Sequence, residues 1–186
     1  MTAEGLTDLI LALTCAALIW RLPAGSPGLR VALAIVGTAA LLGVARFEGL
    51  DWAIGPHRFA VTVASTAAMP LLGWVLCWPG SLPATQPRAA AIAIVFGGAL
   101  GVLLAGLAGL QFWVLLCHAL AAAWLVYAVW RHRAATLAAG VGLLLLVGIV
   151  QATGIGLAGL PPTAIVHLLL TGGLALAGLA STRLRH

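Results

Sequence analysis

Residues 89–130 read AAAIAIVFGGALGVLLAGLAGLQFWVLLCHALAAAWLVYAVW, and only Gln111 and His118 bring strongly polar groups into that run. A single helix over it would be roughly 60 Å long at 1.5 Å per residue, twice the roughly 30 Å of a bilayer's hydrocarbon core. The run must therefore fold back on itself. The segment Gly106-Leu107-Ala108-Gly109-Leu110-Gln111 holds the glycines and the amide that a reversal needs, so the expected reading is two spans, 89–108 and 110–130, joined by a tight turn.

Working outward, apolar runs of spanning length recur at 5–22, 29–47, 57–78, 134–152 and 162–182. They are separated by turn chemistry such as Pro23-Ala24-Gly25-Ser26-Pro27 and Pro79-Gly80-Ser81-Leu82-Pro83. The chain reads as one all-α domain, 1–186, a polytopic bundle of seven transmembrane helices with no soluble domain. The connections are too short to hold one. Mean hydropathy is +1.16. Charged residues make up 7% of the chain, far below the roughly 25% of a soluble domain. The first eight residues contain Glu4 and Asp8 but no base, so they lack the positive region of a secretory signal, and the first helix is expected to remain in the mature chain.

The arginines test the division independently, because cytoplasmic loops collect positive charge. With the N-terminus outside and the C-terminus cytoplasmic, Arg21, Arg30, Arg88, Arg131, Arg133, Arg183 and Arg185 fall inside. Only Arg46 and Arg58 fall outside, with Glu4, Asp8, Glu48 and Asp51. Merging 89–130 into one span would move Arg131, Arg133, Arg183 and Arg185 to the outer side and abolish the bias. Trp20, Trp74, Trp78, Tyr127 and Trp130 gather toward the same inner interface, where amphipathic rings prefer to lie. The pattern predicts a multi-pass protein of the cell inner (cytoplasmic) membrane.

The net charge of +5 does not indicate nucleic acid, since the bases are scattered at helix ends. Every base is arginine, which excludes a retinal Schiff base and lysine nucleophilic chemistry. Cys15, Cys77 and Cys117 lie in separate apolar runs with no Cys-x-x-Cys spacing and read as small core residues. The ridge Gly97, Gly101, Ala105 and Gly109 is expected to pack within the bundle, with a helix-mediated homo- or hetero-oligomer face as the alternative.

An ionisable residue inside a span is costly and is a functional candidate by default. At 1.5 Å per residue Asp8 lies roughly 3 Å below the outer boundary, His167 about 7 Å, and His118 and Ser65 about 12 Å, with His57, Asp51, Glu48 and Arg46 at the rim. All belong to the outer half of the bundle. His57, His118 and His167, on the third, fifth and seventh spans, are candidate ligands for Zn²⁺ with an open position for water, whose hydroxide would attack an amide or ester. Asp8 or Asp51 would orient a histidine or act as general base. Two other readings stay open: the histidines are structural hydrogen bonders with rim acids paired to Arg46 and Arg58, or His118 and His167 ligate a b-type haem.

This layout resembles the CREST superfamily, seven-span hydrolases and receptors that include the alkaline ceramidases and the progestin/adiponectin receptor group. The resemblance rests on the seven spans, the outside N-terminus, Thr7-Asp8 opening the first helix, Arg46-Phe47-Glu48-Gly49-Leu50-Asp51 after the second, and His167 in the seventh. It implies zinc held by a histidine near the end of the second span and two histidines four apart in the seventh, assisted by a serine and an aspartate, the roles open here to Ser65, Asp8 and Asp51. At two of those ligand positions this chain has Arg46 and Thr171, leaving His57 and His118 as substitutes. The most concrete functional expectation is a metal-dependent hydrolase of lipid amides or esters with an outward-facing polar pocket and membrane lipid as its partner. The alternatives are a noncatalytic scaffold or accessory subunit and a haem-carrying electron-transfer subunit.

Overall fold

The computed structural model describes residues 1–183 and is built from helices, with an isolated bridge between Leu157 and Leu160 as its single β-type pairing among the described residues. Seven helices are long and apolar enough to cross a membrane: Ala3–Arg21, Pro27–Phe47, Asp51–Cys77, Pro87–Leu107, Phe112–His132, Ala135–Thr153 and Pro162–Arg183. They correspond one to one with the expected spans. Arg185 lies outside the described residues.

Local chemistry explains the ends. Thr2 caps the first helix, its hydroxyl accepting from Gly5 N at 3.0 Å. Proline opens the second, fourth and seventh helices at a position whose N–H has no helical partner in any case. The reversal inside 89–130 falls where expected. Gly109 takes φ +68°, a left-handed conformation that side chains resist. Gln111 Nε2 donates to Ala105 O at 3.1 Å, tying the turn to the end of the fourth helix.

The third span departs most from expectation. It begins at Asp51 with a 3₁₀ turn, Asp51–Ala53, continues as Ile54–Val63, widens to a π-helical segment at Ala64–Ala68, and closes as Met69–Cys77. Pro70 accounts for the widening, because its ring lacks an N–H and clashes with the carbonyl four residues earlier, that of Thr66. A π-bulge relieves both. The fourth helix packs on this segment: a Cβ on Gly97 would stand 3.1 Å from Ala67 Cβ, and one on Gly101 would strike Thr66 Oγ1. The small-residue ridge is thus used inside the bundle at Gly97 and Gly101.

The seventh helix packs on the sixth and the first, the first on the second, the second on the third, and the third on the fourth and fifth. Contact between the fifth and sixth closes the ring and is thinner than that between the sixth and seventh. The fourth helix stands outside the ring. Leu29, Leu33, Leu76, Leu137, Leu174, Cys15 and Cys77 are fully buried, and all three cysteines are buried and free, as expected of core residues. At the arginine-rich end Trp74, Trp78, Trp124, Tyr127 and Trp130 form a continuous aromatic ladder with ring centroids 4.7 to 6.4 Å apart.

Candidate functional site: an intramembrane chamber

The ring of helices forms a half-open chamber of about 550 Å³ lined by every spanning helix except the fourth. Its walls are mostly aliphatic, and its polar groups are Asp8, His57, Ser65, His118, Gln151 and His167. Five of the six candidate residues therefore line one space, four of them, Asp8, Ser65, His118 and His167, at depths that anticipated it. Asp51 does not join them. It begins the third span as an exposed residue, so its expected place beside a histidine is corrected. His57 also differs from expectation. The earlier start of the third span carries it inward from the rim to 7% exposure, and its Nδ1 donates to Ala39 O at 3.1 Å.

The first and seventh helices meet at the centre of the site. Asp8 Oδ1 lies 3.2 Å from His167 Nδ1. Thr7 Oγ1 lies 3.3 Å from the same nitrogen, while its own hydroxyl donates to Glu4 O at 3.0 Å and Ala3 O at 3.1 Å. The Thr7 proton is committed elsewhere, so carboxylate and hydroxyl both face Nδ1 as acceptors. With Asp8 ionised the ring proton lies on Nδ1, leaving Nε2 as the lone-pair nitrogen of a residue that lines the chamber, while the Glu4 carbonyl is a further acceptor beside the ring. Phe47 packs edge-on against both His57 and His167, at 6.1 and 6.3 Å between centroids.

Asp8 is 1% exposed, and its Oδ2 has no hydrogen-bond partner. That oxygen lies over Gly43, where a Cβ would strike it and stand 3.1 Å from His57 Cε1. An orphaned buried oxygen is costly, which makes Asp8 a functional candidate. The rim acids also pair otherwise than expected. Glu48 Oε1 accepts from Thr2 N at 2.8 Å and its Oε2 lies 3.6 Å from the Met1 amino group, while the Arg46 guanidinium lies over the Phe47 ring at 5.3 Å.

The three-histidine zinc site is not assembled. Among the described residues no three His, Cys, Asp or Glu side chains come together closely enough to hold a metal ion. Spacing, not the donor set, explains why. His57 and His167 spend Nδ1 as donors, which leaves each Nε2 open as a ligand, but His118 on the fifth helix does not come within reach of a shared ion with them, and Thr171 spends its hydroxyl on His167 O at 2.7 Å. These residues, so placed, do not fit zinc.

Gln151 is the lining residue that the sequence reading passed over. It is the one strongly polar side chain of the sixth span, a signal of the same kind that singled out His118. Neither His118, Gln151 nor Ser65 has a side-chain hydrogen-bond partner among the described residues, and Ser65 sits in the π-helical segment. No curated protein and no solved structure matches the chain. A family model covers residues 3–186, and the chain belongs to that family, DUF6962, a family of unknown function.

Proposed function

We propose that the chain is an intramembrane hydrolase of lipid amides or esters, with His167 as general base. The observation that carries this is the Asp8–His167 pair, 3.2 Å apart, which leaves His167 Nε2 free in a chamber otherwise walled by aliphatic side chains. Apolar walls suit an acyl chain, and a fixed-tautomer imidazole suits proton abstraction. Nε2 takes a proton from water as its oxygen attacks the acyl carbonyl carbon. The tetrahedral adduct then expels the amine or alcohol as the C–N or C–O bond breaks, and the imidazolium returns the proton to the leaving group. Asp8 holds the ring and stabilises its charged form, and the Ser65 hydroxyl is the donor available to the carbonyl oxygen.

The arginine bias supports an N-terminus outside a cytoplasmic membrane, which puts the Asp8 end of the chamber toward the non-cytosolic side. The layout shared with the CREST superfamily, including Thr7-Asp8 and His167, supports the same reaction class with a different device for activating water. Protein in lipid nanodiscs, incubated with long-chain N-acyl amides and acyl esters, should release fatty acid, and His167→Ala should abolish that release while expression and thermal stability persist. Absence of turnover across such a panel by correctly folded protein overturns the proposal.

A second reading is a noncatalytic lipid-binding scaffold, favoured by His57, whose Nδ1 is spent on the Ala39 carbonyl of the neighbouring helix. Under it, lipid co-purifies but is recovered intact. A haem-carrying subunit would show a Soret band in the purified protein.

A further inference from the structure

His118 and Gln151 come from the two helices whose mutual packing is thin, and they stand at nearly one depth. The fifth and sixth helices are antiparallel about the connection at 133–134. His118 and Gln151 lie at similar distances along the chain on either side of it, so their levels differ by about 3 Å. Both line the chamber, and neither has a hydrogen-bond partner among the described residues. His118 is part-buried and unpaired within its span, where such a group is costly, Gln151 is exposed near the end of the sixth helix, and a ligand's polar group is a natural partner for both. Between and beside them the lining residues Leu115, Ala119, Leu145 and Gly148 are exposed, so on this side the chamber wall is also the bundle's lipid-facing surface.

We infer that His118 and Gln151 form a second polar station, which reads a hydrogen-bonding amide or hydroxyl on a membrane lipid admitted between the fifth and sixth helices. The occupant is a bilayer lipid rather than a water-soluble metabolite, because the gap between these helices is bordered by aliphatic side chains and glycine on spans whose mean hydropathies are 2.0 and 2.1. The inference rests on the reading of the chamber as a lipid site. It goes beyond that reading by assigning selectivity to residues remote in sequence from Asp8 and His167, and by naming the route of entry. His118 can donate or accept at either ring nitrogen, and Gln151 does both through its amide, so together they match a group that carries a donor and an acceptor at once.

The test uses the full chain in nanodiscs and two fluorescent probes of equal chain length, an N-acyl amino alcohol and the methyl ester of the same acid. Wild-type protein should bind the amino-alcohol amide about tenfold more tightly than the ester, the discrimination expected of about one net hydrogen bond made with one ligand and lost with the other. The His118→Leu, Gln151→Leu variant should bring the two affinities together. Equal affinities in the wild type, or discrimination that survives in the double variant, overturn the inference. Gly148→Phe tests the route, since a Cβ there meets nothing within 4 Å and the variant should fold. It should slow uptake of both probes at least tenfold, whereas Gly142→Phe, at an equally open position on the same helix that does not line the chamber, should not. Unchanged uptake in Gly148→Phe overturns the route. Asp8→Asn separates this inference from the hydrolase reading: loss of turnover with discrimination retained supports both, and discrimination without turnover in any variant leaves this inference standing while the hydrolase falls. Failure of the wild type to bind either probe removes both.

Discussion

Asp8 Oδ1 stands 3.2 Å from His167 Nδ1, joining the first and seventh helices inside the bundle by a carboxylate–imidazole contact. In the proposed hydrolase the pair holds the tautomer that leaves Nε2 basic, and this dictates how substitutions should behave. Asp8→Asn nearly preserves shape but places an amide donor beside Nδ1, which favours the tautomer with its proton on Nε2. Turnover should fall by about 100-fold or more, the scale of general-base catalysis, with the melting temperature little changed. Asp8→Ala leaves Thr7 Oγ1, 3.3 Å away, as the acceptor for the imidazole N–H and should cost about 1 kcal/mol of stability, the worth of one hydrogen bond. Hydrolysis assays alongside thermal unfolding in detergent separate the two effects. Full activity in Asp8→Asn would remove the dyad from the mechanism.

Gly43 is where the second helix makes room for that carboxylate. A Cβ there would meet Asp8 Cγ at 2.8 Å and collide with Oδ2, atoms already pinned from the other side by His167. Gly43→Ala should therefore displace Asp8, destabilise the bundle by about 1–3 kcal/mol as overpacking does, and lower turnover with it. Gly55→Ala, in a helix with nothing within 4 Å of the new methyl, should be neutral or stabilising by about 0.4–1 kcal/mol. Comparing the two unfolding curves tests whether the close approach, rather than glycine as such, matters.

Seven spans were legible because each is an apolar run near 20 residues bounded by turn residues, and because Gly109 and Gln111 mark the reversal in the longest run. Asp8, Ser65, His118 and His167 could be grouped because depth along a spanning helix follows from residue count alone. Rotation about the helix axis does not. Nothing in the sequence said that Asp8 meets His167 rather than His57, or that Gly43 sits beneath it. The third span misled for a local reason: its 3₁₀ start at Asp51 and the π-segment before Pro70 shift its boundaries and rotation, carrying His57 inward and leaving Asp51 exposed. One reading paired the rim acids with Arg46 and Arg58, whereas Glu48 meets Thr2 and the Met1 amino group and Arg46 lies over Phe47.

Glu48 supplies the pH dependence. Its carboxyl is held below its ordinary value of 4.5, first by the hydrogen bond from Thr2 N and also by the Met1 amino group and the Thr2 hydroxyl. A carboxylate whose pKa is lower in the folded state favours the fold fully above 4.5, and that contribution disappears as pH falls through the lower folded value. The contact between Thr2 and the end of the second helix should accordingly persist at neutral pH and release only in acid below 4.5. Carbon NMR of the Glu48 carboxyl should give a titration midpoint under 4.5, moving back up in Thr2→Pro, which deletes the donating N–H. A wild-type midpoint at or above 4.5 would contradict the tether.

The ridge on the fourth helix distinguishes internal packing from an oligomer face. Gly101 lies against Thr66, whose hydroxyl donates back to Thr62 O at 2.8 Å, and Gly97 against Ala67, so the third helix already occupies that groove. A valine at Gly101 would drive into Thr66 and part the two helices where the π-segment begins. Gly101→Val should therefore destabilise the monomer by about 1–3 kcal/mol and lower its melting temperature. Light scattering of detergent-solubilised protein should give the same mass for wild type and for whatever fraction of the variant folds. A change in mass with no loss of stability would instead mean that the ridge faces another chain.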